Sequence, residues 1–118
     1  MMTSPKIYGI KNCSTVKKAL AWLNNHNIAY DFHDYKKLGI DENAFSKAVK
    51  KQGWNKVINQ RGTTWRNLPQ DVQENINADN AINIAQENPS IIKRPILMHG
   101  SHIILGFDES AYSDAFKN

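Results

Sequence analysis

The chain holds one cysteine, Cys13, in the run Tyr8-Gly9-Ile10-Lys11-Asn12-Cys13-Ser14-Thr15. An apolar strand-like stretch precedes it and a helix-like pattern follows. Backbone N–H groups at a helix start point toward such a position, and the helix dipole favours negative charge there. Lys11 and Lys17 stand nearby in sequence and add positive potential. Both effects lower a thiol pKa, and the thiolate is the nucleophile. Most lone cysteines are buried and structural; the helix-start position with flanking lysines favours a reactive thiol here. Cys13-Ser14-Thr15-Val16 contains no second cysteine, which excludes a self-contained dithiol cycle. Any resolving thiol has to come from another molecule.

Arg94-Pro95 is the second focus. A proline that opens a strand suits a sheet edge or a cis turn. In the plain reading it starts the strand and Arg94 is a solvated charge. In the functional reading a cis Pro95 holds backbone opposite Cys13, and Arg94 grips an anion with its planar fork. The residues alone leave both open. Other motifs carry little: there is no GxGxxG, no P-loop and no HExxH. His99 and His102 flank a turn and read as surface residues, and a single cysteine makes no zinc-type cluster. Trp22, Trp54 and Trp65 read as packing residues, with Trp65 left open because of the loop it sits in.

The elements that must position Cys13 follow from periodicity. Lys6 to Ile10 reads as a short buried strand. Val16, Ala19, Leu20 and Leu23 keep the spacing of an amphipathic helix, with Ser14 and Thr15 as capping residues and Asn24 to Asn27 as its end. Ile28 to Tyr35 is rich in β-branched and aromatic residues and reads as a second strand. Asp41 caps a helix through about Gln52 that Gly53 stops. Further helices are expected from about Leu68-Pro69, with Val72 and Ile76 on its apolar side, and from Ala81 to Asn88. These form one helical insert over about 41–88, a lobe next to the sheet packed through Phe45, Val49, Val72 and Ile76. Pro95 to Met98 and His102 to Leu105 then form a hairpin whose Gly100-Ser101 turn suits type II′. A helix over Glu109 to Lys117 closes the chain. The order βαβ, helical insert, ββα is an α/β fold with a thioredoxin-like core, in a single domain over residues 1–118.

At 118 residues, with 41% apolar and 22% charged residues, the chain can bury one core without disulfides or metal. The net charge of +4 is spread along the sequence with no dense basic stripe. This argues against a nucleic-acid partner. No apolar run approaches membrane-spanning length and no secretory signal is visible. One cysteine and no signal favour the cytoplasm.

Four segments carry a resemblance to a known family. They are Tyr8-Gly9-Ile10-Lys11-x-Cys13-x-Thr15, Tyr30-Asp31-Phe32-His33-Asp34-Tyr35-Lys36, Asn59-x-Arg61-Gly62-Thr63-Thr64-Trp65-Arg66, and Pro89-x-Ile91-Ile92-Lys93-Arg94-Pro95 followed by Gly106-Phe107. In this order they resemble the ArsC/Spx family, specifically its YffB-like branch. The resemblance implies a thioredoxin fold with a helical insert, a nucleophilic Cys13, and a cis Pro95 preceded by an anion-binding Arg94. It also implies a glutathione-dependent thiol–disulfide reductase. Glutathione, or another small thiol or disulfide, would be co-substrate and no cofactor would be bound. Arg94 and Lys11 would hold glutathione carboxylates, while Asn12 and Thr15 would supply loop and helix-start hydrogen bonds. The family's arsenate reductases cradle the oxyanion with three arginines. Here Asn59 occupies the position of the first and Leu105 that of the third, with Arg61 two residues from Asn59. Gly9 replaces the family's histidine before the nucleophile, and Val16 replaces a helix-start serine. Two alternatives follow: an Spx-like module that binds a protein partner without turnover, and an arsenate reductase in which Arg61 supplies a relocated charge.

Overall fold

Ile7 and Tyr8, with Gly9 behind them, make the short strand β1 (Lys6–Gly9), buried from Ile7 onward. The structure, a computed structural model, describes residues 4–117. Helix α1 (Ser14–Asn25) follows and buries Val16, Ala19, Trp22 and Leu23 along one stripe. Trp22 takes the central place expected for Leu20, which is half-buried. Asn27, at φ 57°, ends the helix: its N–H donates to Asn24 O at 3.1 Å, and Ile28 N–H donates to Leu23 O at 3.0 Å. This paired closure satisfies two terminal carbonyls and turns the chain back toward the sheet.

Strand β2 (Asp31–Asp34) is shorter than the run Ile28 to Tyr35 suggests. Its start is delayed because Ile28 is spent closing α1. Its end comes early because the Asp34 carboxylate accepts backbone N–H groups of Lys36 at 3.1 Å and Lys37 at 3.4 Å. That cap starts a single helical turn, α2 (Tyr35–Leu38), so Tyr35 is the first residue of a helix and not the last of a strand.

The chain divides into two compact units, one running to Leu38 and resuming at Arg94, the other Gly39–Lys93. The second unit is helical. Asp41 caps α3 (Glu42–Gln52) by accepting Ala44 N–H at 3.1 Å, and Gly53 ends it at φ 91°. Two one-turn helices follow, α4 (Trp54–Val57) and α5 (Thr63–Arg66), too short to leave a periodic signal. Helix α6 (Gln70–Asn75) has Pro69 as its N-cap, one place earlier than the first-turn proline expected. It ends before Ile76, because Asn75 O is claimed by the Asn80 side chain at 2.9 Å in an asparagine-rich turn. Helix α7 (Ala81–Glu87) contacts α3 and buries Ala81 and Ala85. Phe45 and Ile76 are buried and Val49 and Val72 half-buried within this unit.

The first unit resumes with β3 (Ile96–His99), β4 (His102–Leu105) and α8 (Glu109–Ala115). The sheet order is β2-β1-β3-β4, with β1 parallel to β2 and antiparallel to β3. Among the described residues this is the four-stranded core of a thioredoxin-like α/β fold. Gly100 opens the β3–β4 turn at φ 60°, while Ser101 keeps a negative φ, as the type II′ turn requires. Asp108 caps α8 by accepting Ser110 N–H at 3.3 Å. Ile7, Ala19, Trp22, Leu23, Leu97 and Tyr112 form the buried cluster of this unit.

Gly9 packs against the first turn of α1. A Cβ placed there would stand 2.9 Å from Val16 Cγ2 and 3.6 Å from Phe32. The two replacements noted in the sequence, a glycine for histidine and a valine for serine, therefore fill one space: the valine occupies what the glycine leaves empty. Gly9→Ala is expected to destabilise the protein by about 1–3 kcal/mol through overpacking. In urea denaturation, adding Val16→Ala should recover part of that loss, and the double mutant should lose less than the sum of the singles. Strict additivity would show that the two positions do not share the space.

Candidate active site

Cys13 is itself the N-cap of α1, with extended backbone at φ −130° and ψ 124°. Its carbonyl accepts Lys17 N–H at 3.0 Å, the first bond of the helix. Ser14 and Thr15, expected as caps, are instead the first two helical residues. The sulfur thus stands where a capping oxygen ordinarily sits, in front of first-turn N–H groups that have no partner inside the helix. It closes no cap bond of ordinary geometry, yet the Val16 and Thr15 N–H groups still act on it.

Arg94 reaches the same place from the far end of the sequence. Tyr8 pairs with Ile96, so Pro95 and Arg94 come up beside Gly9 and the loop that carries Cys13. The Arg94–Pro95 bond is cis, Pro95 is fully buried, and its carbonyl accepts Gly106 N–H at 2.8 Å. The half-buried Arg94 guanidinium turns toward Cys13 and Tyr35. Burial works against its charge, and the contacts with Cys13 and Tyr35 outweigh that and hold it firmly protonated.

The half-exposed thiol responds to opposed effects. Burial pushes its pKa up. The Val16 N–H, the Arg94 guanidinium and the Thr15 N–H together outweigh burial, so the pKa lies below the usual thiol value. Lys11 and Lys17, expected to share this work, are exposed, where water and salt screen their charge. Asn12 is also exposed, beside Lys11 in the preceding loop. Of the residues expected in the site, Cys13, Thr15, Arg94 and Pro95 come together here. Arg61 lies exposed in the helical unit, its backbone N–H donating to Asn59 Oδ1 at 3.1 Å.

Tyr35 was not anticipated. Gly9 pairs with Asp34, so the first turn of α2 stands at the end of β1 that leads into the Cys13 loop. Tyr35 is buried, and the Arg94 guanidinium faces its hydroxyl. Burial first of all pushes the phenol up to about 12, so it stays protonated wherever the thiolate forms. The available signal was Asp34-Tyr35-Lys36-Lys37, an aspartate able to cap N–H groups two and three residues on, which marks a strand-to-helix turn.

The two positions where partner arginines are missing have other uses. Asn59 accepts Arg61 N–H through its side chain, while its own N–H donates to Ile91 O at 2.6 Å. It shapes a turn of the helical unit. Leu105, on β4, pairs with Ile96 of β3 and has an apolar side chain.

The fold and site define a thioredoxin-fold protein built around a single helix-start thiol and one arginine. The chain belongs to the ArsC family, whose model matches residues 8–115. A protein of Haemophilus influenzae is 46% identical over 110 residues, spanning 93% of this chain and 96% of its own. The solved structure of a YFFB protein superposes with a TM-score of 0.90 at 42% identity, covering 95% of this chain and 98% of its own. An arsenate reductase (ArsC) related protein from Brucella melitensis is 43% identical with a TM-score of 0.72, covering 98% and 97%. The global transcriptional regulator Spx of Streptococcus mutans is 29% identical over 100 residues, or 83% of this chain and 72% of its own.

Arg94→Gln keeps a planar, hydrogen-bonding side chain and removes only the charge. The midpoint of Cys13 alkylation against pH should rise toward the free-thiol value of about 8.5. Lys11→Ala and Lys17→Ala should move it far less. An unchanged midpoint in Arg94→Gln would remove the guanidinium from the account of the thiol.

Proposed function

We propose that this protein is a glutathione-dependent thiol–disulfide reductase acting through Cys13. The observation that carries the reading is the Arg94 guanidinium turned toward a helix-start sulfur. One cation beside one thiolate suits attack on a neutral electrophile. Cys13 thiolate attacks the glutathione sulfur of a glutathione mixed disulfide, and the other sulfur leaves as a thiolate. Glutathione thiolate then attacks the glutathione sulfur of the resulting mixed disulfide, releasing glutathione disulfide and restoring Cys13. Arg94 has five N–H donors, enough to face Cys13 and still receive a carboxylate of glutathione. Lys11, on the exposed loop, meets a second carboxylate, and Asn12 supplies a loop hydrogen bond. Membership of the ArsC family and the likeness to a YFFB protein support thiol-based chemistry.

Arsenate is a poorer fit. A thiolate approaching a multiply charged oxyanion needs clustered cations to offset the repulsion. Asn59 is committed to a backbone turn and Leu105 is apolar. For arsenate reduction Arg61 would have to supply the missing charge. The Spx relative supports a second reading, a regulator that binds a protein partner through this fold. In that case Cys13 would support no turnover.

The test is turnover by the purified protein with glutathione and a glutathione mixed disulfide, run beside arsenate. Reduction of the disulfide that vanishes in Cys13→Ser, with negligible arsenate reduction, is the expected result. Arg94→Ala should weaken the disulfide activity about tenfold or more, the loss from one charged contact of roughly 1.5 kcal/mol. Arsenate turnover comparable to disulfide turnover would favour Arg61 as a relocated oxyanion ligand. No turnover of either substrate would favour the regulator.

A further inference from the structure

An arginine side chain is long and flexible, and a guanidinium that is to act on one sulfur has to be held in one place. Arg94 is half-buried just ahead of β3. The strand register brings Tyr35 to the same end of the sheet: Asp34 lies opposite Gly9 on one side of β1, and Ile96 lies opposite Tyr8 on the other. Tyr35 is 3% exposed and its hydroxyl is buried. That hydroxyl closes no hydrogen bond of ordinary geometry among the described residues, and the group that faces it is the Arg94 guanidinium. Buried hydroxyls are almost always paired, because leaving one unpaired is costly. An oxygen with lone pairs, facing a group that carries only donors, has its match there. The neighbouring carboxylate is turned elsewhere, since Asp34 Oδ1 accepts the Lys36 and Lys37 N–H groups.

We propose that Tyr35 is a positioning residue for Cys13: its hydroxyl oxygen accepts an N–H of Arg94 and fixes the guanidinium toward the sulfur, while bringing no charge of its own. A carboxylate in the same place would hold the arginine too, but it would share the positive charge and repel the thiolate. A protonated phenol does neither. Burial pushes the Tyr35 phenol up to about 12, so it stays neutral through the range in which a thiol ionises. Because the hydroxyl is buried, neither water nor a bound substrate competes for it, and the anchor persists while the site is in use. The guanidinium has five N–H donors, enough to meet the phenol oxygen with one and the sulfur with another. The role requires an ionised Cys13 and no particular electrophile, so it stands apart from the reductase reading.

The signature is a Cys13 effect that needs Arg94. The midpoint of Cys13 alkylation by iodoacetamide against pH is measured in wild type, Tyr35→Phe, Arg94→Gln and the double mutant. Phenylalanine keeps the ring in its space and removes only the oxygen. Tyr35→Phe should raise the midpoint by about half a pH unit and Arg94→Gln by about one unit. Added to Arg94→Gln, Tyr35→Phe should move it by less than about 0.2 unit, because the tyrosine acts through the arginine. An unchanged midpoint in Tyr35→Phe would leave the tyrosine a packing residue, and a fall would mean that the phenol draws the guanidinium away from the sulfur. A shift of equal size in both backgrounds would mean that the hydroxyl acts without Arg94. Each of these three results overturns the proposal. A second measurement leaves Tyr35 intact and decides the matter should Tyr35→Phe fail to fold. In ¹⁵N NMR of Cys13→Ser, where no thiolate is present, the Arg94 Nε–H should stay protected from solvent exchange relative to the exposed Arg61 and Arg66. Exchange as fast as at those two would show that the sulfur alone holds the arginine, and would overturn the role of Tyr35.

Discussion

A thiol at the mouth of a helix, with the Arg94 guanidinium turned toward it, is the interaction around which the rest of the first unit is arranged. Partial burial alone would keep the Cys13 sulfur protonated. The opposing groups are two backbone N–H groups from the start of α1 and one side chain that arrives from the start of β3. The N–H groups are those of the first turn of α1, and they act on the sulfur because Cys13 is its N-cap. The guanidinium is there because β3 runs antiparallel beside β1 and brings Arg94-Pro95 to the same end of the sheet. Gly9 and Val16 keep α1 tight against β1, so the site depends on a packing contact that carries no charge.

On the proposed reductase reading, the same economy limits what the site attacks. One arginine balances one sulfur. Further anionic charge on the electrophile would need further cations, and the chain has spent those positions on a turn-forming asparagine and an apolar strand residue.

Much of this was legible in the sequence, for reasons that differ by residue. Cys13 could be placed because two clear periods bracket it, the apolar pair Ile7-Tyr8 and the helical stripe from Val16 to Leu23. Asp41 and Gly53 bounded α3 because a cap and a positive-φ glycine have few other uses at a helix end. Arg94 was ambiguous from composition, since a residue before proline can point either way. The family resemblance set the expectation that the strand register then met. Helices α4 and α5 escaped because one turn has no period. Tyr35 escaped because it is aromatic and follows a strand; only the side-chain cap from Asp34 turns it into a helix, and that bond competes with strand propensity on equal terms. Lys11 and Lys17 are near Cys13 in sequence but exposed, and solvent exposure, which weakens their charge effect, is not read from nearness in sequence.

The most direct test of the central claim is a pH titration of thiolate ultraviolet absorbance, taken as the difference between the reduced protein and Cys13→Ser. If the helix start and Arg94 hold the sulfur as an anion, the absorbance will rise through a midpoint below about 8.5, the ordinary thiol value. A midpoint at or above that value would mean that burial wins at Cys13, and that this site holds no activated nucleophile.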